Sequence, residues 1–194
     1  ELSHTLHIPV VTSRMGIGCI CSDNPYYVGR PGSNGQRAAH FAIQQADLLL
    51  VLGCRLSVST IGYYPDRFGK NAMKVQVDID QKELNKTDVP VDYKYRATVQ
   101  EFVEAVRGLP PTDSAEWAEH CREMREKYPV VLPEYRRANP LNSYYFTELL
   151  TKEAPEGAVI TVDTGSVCNV VSQTWHLKKG QRYFISGGLS CMGF

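Results

Sequence analysis

The amino-acid sequence predicts an α/β fold, a doubly wound, Rossmann-like parallel sheet followed by an incomplete second α/β unit. Three observations lead there. Short β-like runs alternate with amphipathic helical stretches along the chain, the pattern of a parallel sheet with helices on both faces. The run LLLVLG at residues 48–53 is apolar throughout, as a strand covered on both faces should be. Glycine clusters follow strand-like runs and feed helical ones, where such a fold makes its turns.

Taken in order, ELSHTLHIPVV reads as the last turns of a helix entering a strand over residues 8–12. MGIGCICSDNPYYVGRPGSNG then carries Gly16, Gly18, Gly29, Gly32 and Gly35, a loop whose backbone can approach other groups closely. A helix over 36–46 follows, with Ala39, Ala42, Ile43 and Ala46 on one face. Strands are expected at 48–53 and 74–80. Thr98 and Glu101 spell a capping box for a helix over 98–109, with Val99, Phe102, Val103 and Val106 inward. Pro110, Pro111, Pro129, Pro133 and Pro140 bracket one helix near 114–127, whose face is Trp117, Cys121 and Met124. Residues 110–140 thus read as a linker packed against a neighbour.

A second unit opens at 141. Asn142 starts a helix with Tyr145, Phe146, Leu149 and Leu150 inward, and AVITVD at 158–163 is a strand. Thr164-Gly165-Ser166 turns into a helix holding Val167, Val170, Val171 and Trp175, and YFIS leads into SGGLSCMGF. So few strands do not close a core, and the opening helix lacks a start. The chain therefore reads as trimmed at both ends, with expected domains at 1–109, 110–140 and 141–194.

Composition narrows the classes. Hydrophobic residues at 43% and charged residues at 22% fit a globular chain. Lys plus Arg balances Asp plus Glu at 21 each, so no net field draws nucleic acid or an acidic membrane. No apolar run approaches the roughly 18–20 residues of a membrane span, and no signal-peptide pattern opens the chain. Six cysteines without paired metal-ligand spacing read as free thiols of a reducing compartment, so a cytoplasmic location is expected and a metal site is not.

Two strand–glycine–helix junctions can carry chemistry. In VGRPGSNGQRAA, Gly32, Ser33, Asn34 and Gly35 precede a helix whose N-terminal amides favour an anion. Arg55 follows the apolar strand, and Asp78 ends the next one. These are the strand ends where α/β ligands bind, Asp78 serving either a ribose hydroxyl or a turn. In ITVDTGSVCN, Gly165 and Ser166 stand at another helix N-terminus, either a phosphate seat or an ordinary turn. No Ser–His–Asp set, HExxH or carboxylate pair appears, and no residue is named as catalytic.

The ordered set IPVVTSRMGIG, YVGRPGSNG, DLLLVLGCR, KVQVDID, ITVDTGS and SGGLSCMGF resembles the thiamine-diphosphate enzymes of the acetolactate synthase type, along almost the whole chain. The resemblance implies a central domain over 1–109 and, from 141, the start of the domain that holds the cofactor's diphosphate. It implies that Gly165 and Ser166 face the diphosphate, that the Ser190 carbonyl faces the aminopyrimidine, and that Met192 wedges the cofactor into its bent form. It further implies Mg2+, a 2-keto acid substrate, and a homodimer or homotetramer, with the activating glutamate and the magnesium motif outside this sequence. The chain alone is accordingly expected not to bind thiamine diphosphate measurably, with no dissociation constant at or below the micromolar range.

The sequence also departs from those relatives. Arg55-Leu56-Ser57-Val58-Ser59 replaces their Arg-Phe-Asp-Asp-Arg, and Tyr95-Arg96-Ala97 replaces their Gly-Asp-Ala. Both lost aspartates help hold FAD, which argues against FAD and for an ADP-like nucleotide. Gly165-Ser166-Val167 stands for a Gly-Gln-His, which points to another acceptor. A non-catalytic nucleotide-binding module of the same central-domain fold is the alternative reading.

Overall fold

A computed structural model describes residues 2–193. Helix α1 (Leu2–Leu6) leads to β1 (Val10–Val11), which pairs with β2 (Tyr27–Gly29). Helix α2 (Arg37–Gln45) crosses to β3 (Leu48–Leu52), and β3 pairs with β4 (Met73–Asp78) from Leu48↔Met73 to Leu52↔Val77. Short helices α3 (Val58–Ile61) and α4 (Gln81–Leu84) fill the connections, and β5 (Tyr93–Arg96) adds to β4. Helix α5 (Val99–Val106) and α6 (Ala115–Lys127) follow. The second unit is α7 (Ser143–Glu153), β6 (Val159–Val162), α8 (Ser166–Thr174) and β7 (Arg182–Ile185), with β6 paired to β7.

Every pairing among the described residues is parallel, so the α/β class holds. A single sheet joining residues 8–12 to 48–53 and 74–79 is not what forms. The ladder breaks into β1–β2, β3–β4–β5 and β6–β7, and only Val10 and Val11 of the first run are strand. Two strands had no legible signal. The YVG of β2 hides among glycines although all three residues are buried. The YKYR of β5 is exposed at every position and lacks the apolar alternation of a half-buried strand.

Burial on both faces of β3 is also corrected. Val51 is buried, but Leu48 is 47% exposed. The packed side is supplied by Ile43, Phe68 and Val89 with Leu49, Leu56 and Ile61. Helix α6 does pack on a neighbour, placing Cys121 with Val28, Ala38 and Ala42 and setting Trp117 and Met124 beside them. Helix α5 has the expected capping box between Thr98 and Glu101. Its apolar face is less covered than expected, with Phe102, Val103 and Val106 half-buried and Val99 exposed.

The inward face assigned to α7 is wrong. Thr147 and Thr151 are buried, whereas Phe146, Leu149 and Leu150 are exposed. Tertiary ties set the rotation: Arg136 holds Glu148 bidentately, and Lys178 Nζ donates to the carbonyls of Lys152 and Ala154. In α8, Val170, Val171 and Trp175 are buried as expected, but Val167 is 47% exposed.

Helix α8 joins the second unit to the first. The Arg30 guanidinium, 4% exposed, donates to the carbonyls of Ser172, Gln173 and Trp175 and to the Tyr27 hydroxyl. A cation at a helix C-terminus satisfies orphan carbonyls and complements the dipole. Gln36 and Gln173 add reciprocal bonds, Gln36 Nε2 to the Gln173 carbonyl at 2.6 Å and Gln173 Nε2 to the Asn34 carbonyl at 2.7 Å.

Candidate functional site

Strand β6 delivers Asp163, Thr164 and Gly165 to the N-terminus of α8. Gly165 has φ +78° and ψ −152°, in the left-handed range that favours glycine. A Cβ there would meet nothing within 4 Å, so the ground in front of the helix end is open. No side chain caps α8, and its first-turn amides have no acceptor within the helix.

The loop after β7 comes back to this point. Ser190 donates its amide to the Ser186 carbonyl at 3.0 Å, and the Cys191 amide donates to Ser186 Oγ at 3.2 Å. Ser190 takes φ +53°, an unusual cost for a residue with a Cβ. The Gly193 amide then donates to Asp163 Oδ2 at 3.0 Å, while Thr164 donates to Oδ1 at 2.7 Å. The Gly193 bond and then the Thr164 bond hold the Asp163 carboxyl below its usual range. Asp163 therefore fastens the loop carrying Ser190 and Met192 to the strand end that carries Gly165 and Ser166. Sequence reasoning missed it, although its position between a strand and a TG turn was a signal. Met192 is 88% exposed and Leu189 is 90% exposed, so neither is packed into the protein. At the base of the loop, a Cβ on Gly187 would lie 2.9 Å from Met15 Sδ, so the glycine lets the first unit close on the second.

The first-unit candidates lie along the C-terminal ends of β2, β3 and β4. Gly32 has φ +126°, and a Cβ there would collide with the Ser59 carbonyl oxygen. Two amides of this loop are already bonded, Ser33 N to the Ser59 carbonyl and Gly35 N to the Gly32 carbonyl, and His40 Nε2 lies 2.9 Å from the Gly32 carbonyl oxygen. Asn34 Nδ2 reaches Asn169 Oδ1 at 3.2 Å, beside Arg14, so Asn34 faces α8. Arg55 is exposed and pairs with Glu83 at 3.3 Å. Asp78 is buried and accepts the Asp80 amide through Oδ1 at 2.9 Å. The nearby Cys54 thiol is pushed up by burial, with Asp78's charge a lesser contribution.

Comparison with known proteins bears on this arrangement. Residues 1–106 match the family described as thiamine pyrophosphate enzyme, central domain. The chain is 28% identical over 197 residues to the acetolactate synthase isozyme 1 large subunit of Escherichia coli (strain K12), covering 100% of the chain and 34% of that protein. It is 28% identical over 203 residues to the probable acetolactate synthase large subunit of Methanocaldococcus jannaschii, covering 100% of the chain and 34% of that protein. It is 31% identical over 200 residues to the acetolactate synthase of Mycobacterium bovis, covering 100% of the chain and 32% of that protein. The chain spans about a third of the length of these relatives. With 106 of its 194 residues inside the family match, this chain belongs to the thiamine pyrophosphate enzymes and is acetolactate synthase-like.

Proposed function

We propose that the chain contributes the diphosphate seat and the aminopyrimidine loop of a thiamine-diphosphate carboligase or decarboxylase acting on a 2-keto acid. The observation that carries this reading is the Asp163 bridge, which brings the open helix end at Gly165 and Ser166 together with the loop at Ser190 to Met192. These residues fit the group. Open space before uncapped helix amides suits an anion, and an exposed thioether suits contact with an apolar ring. Thiamine diphosphate, when bound, supplies an electron sink for decarboxylation. Mg2+ accompanies the diphosphate in this reading, with its ligands outside the chain, since a diphosphate normally takes its cation through carboxylates and waters.

Residues 1–109 then act as central domain, 110–140 as linker, and 141–194 as the start of the cofactor domain. The exposed Phe146, Leu150, Val159 and Val167 support assembly into a homo-oligomer, since apolar patches mark interaction surfaces. No helix among the described residues is long and apolar enough to cross a membrane, and six free cysteines suit a cytoplasmic setting. An ADP-like group at Arg55 and Asp78 is the reading for the central domain, in preference to FAD. The engaged amides of the Gly32–Gly35 loop leave it less support than the second-unit site.

Backbone-resolved NMR titration of the chain with thiamine diphosphate and Mg2+ tests the proposal. Shifts confined to Gly165, Ser166 and Ser190 to Met192, with affinity weaker than micromolar, are expected. Shifts elsewhere only, or saturation at or below micromolar cofactor, overturn it.

A further inference from the structure

A cleft of about 220 Å³ opens between β2, the start of α2, the segment after α6 and the C-terminal end of α8. The guanidinium groups of Arg30, Arg125 and Arg136 line it against one carboxylate, Glu148. Arg136 already grips Glu148 through both terminal nitrogens, one at 2.7 Å. Arg30 and Arg125 have no carboxylate partner among the described residues. Arg30 donates to three carbonyls and a phenol. Arg125 donates to the carbonyls of Tyr27 at 2.6 Å and Ser22 at 3.2 Å, and lies 5.2 Å from the Tyr27 ring centroid.

Two guanidinium groups crowded together without a counter-ion are costly. Burial pushes both below their ordinary value, Tyr27 draws them back, and the Arg30 charge adds to the push on Arg125. The remaining walls include polar groups, among them Gln36, Tyr128 and the buried Thr174. The Thr174 hydroxyl has no hydrogen-bond partner.

We propose that this cleft binds a phosphoryl group, either free phosphate or the phosphate end of a small metabolite. Arg125 uses one N–H of each terminal nitrogen on the carbonyls of Tyr27 and Ser22, and its remaining N–H groups can match phosphate oxygens in pairs. The volume suits phosphate or a small phosphomonoester, and falls short of the roughly 300 Å³ or more of ordinary ligand pockets. An anion here neutralises the Arg30–Arg125 repulsion and ties the first unit, the linker and α8 together. The site is separate from the Gly165–Ser166 end of α8 and stands independently of the proposed cofactor chemistry.

Calorimetric titration of the purified chain with inorganic phosphate and with glycerol 3-phosphate, at constant ionic strength in chloride, reads the affinity. Saturable binding in the millimolar range or tighter is expected, weakened about tenfold or more by Arg125→Gln. Arg122→Gln, which removes an exposed arginine of the same helix that pairs with Glu119 outside the cleft, leaves it unchanged. Arg125→Lys keeps the charge but loses the fork, and gives an intermediate affinity in a protein whose fold circular dichroism verifies. Phosphate binding as tightly as the ester identifies the free ion, and binding of the ester alone identifies a metabolite. Absence of saturation by both, equal affinity in Arg125→Gln, or an equal loss in Arg122→Gln overturns the proposal.

Discussion

Gly32 and Gly18 occupy the same glycine-rich region under different constraints. Gly32 combines φ +126° with a Cβ path blocked by the Ser59 carbonyl, whereas a Cβ on Gly18 would meet nothing within 4 Å. Gly32→Ala is expected to cost about 3 kcal/mol, and Gly18→Ala to stay within about 0.5 kcal/mol, read from the midpoints of urea unfolding. Asp163 supplies a second residue-scale test. Its folded-state pKa is depressed by the Gly193 and Thr164 amides. Its contribution is therefore complete above the ordinary carboxylate value and is lost as pH falls through the lower folded value. Protection of the Gly193 amide, the intrinsic exchange rate at each pH divided by the observed one, should fall across that acid window in the wild type. In Asp163→Asn, which accepts with one oxygen and cannot ionise, the fall should be absent. Cys121 is inert for a different reason, burial pushing its thiol up to about 12.

Among the elements, the capped helices were the most legible because their signals are local. Thr98 and Glu101 close the capping box, with the Glu101 amide donating to Thr98 Oγ1 at 3.1 Å, and Asn142 Oδ1 accepts the Tyr144 amide at 2.9 Å. Thr98→Ala is expected to destabilise by about 1 kcal/mol, and Thr98→Ser to retain most of the cap, measured by chemical denaturation. Helix α7 shows where such reading stops. Its sequence offers an apolar stripe through Phe146, Leu149 and Leu150 and a polar one through Thr147 and Thr151. The polar stripe faces inward, held in that setting by Arg136 on Glu148 and by Lys178 on the Lys152 and Ala154 carbonyls. Strand β5 escaped notice for a related reason: its pairing from Val75↔Tyr93 to Asp78↔Arg96 is made by backbone, and its side chains carry no burial pattern.

For the whole molecule, the attachment of α8 to β2 decides how the two units meet. Arg30→Met removes a cation from three carbonyls at the helix C-terminus, and unpaired buried acceptors cost about 1–3 kcal/mol each. Allowing for partial relaxation, a loss of about 3 kcal/mol is expected in equilibrium unfolding. A loss below about 0.5 kcal/mol, the level of an ordinary surface change, would show that the docking rests on Gln36 and Asn34 instead.

The sequence by itself determined the α/β class, the starts of α2, α5, α6, α7 and α8, the strands at β3, β4, β6 and β7, and the glycine junction at Gly165. Each depends on periodicity, capping or backbone freedom within a few residues. It also carried the family resemblance, which the match over residues 1–106 bears out. Tertiary structure alone decided the rest. It split the ladder between β1–β2 and β3–β4–β5, turned α7, and bonded Asn34 to Asn169 of α8. It joined Asp163 to Gly193 across 30 positions and brought Arg30 to Ser172 across 142. Such bonds link donors and acceptors far apart in the chain, and nothing in the local pattern around either partner specifies the other.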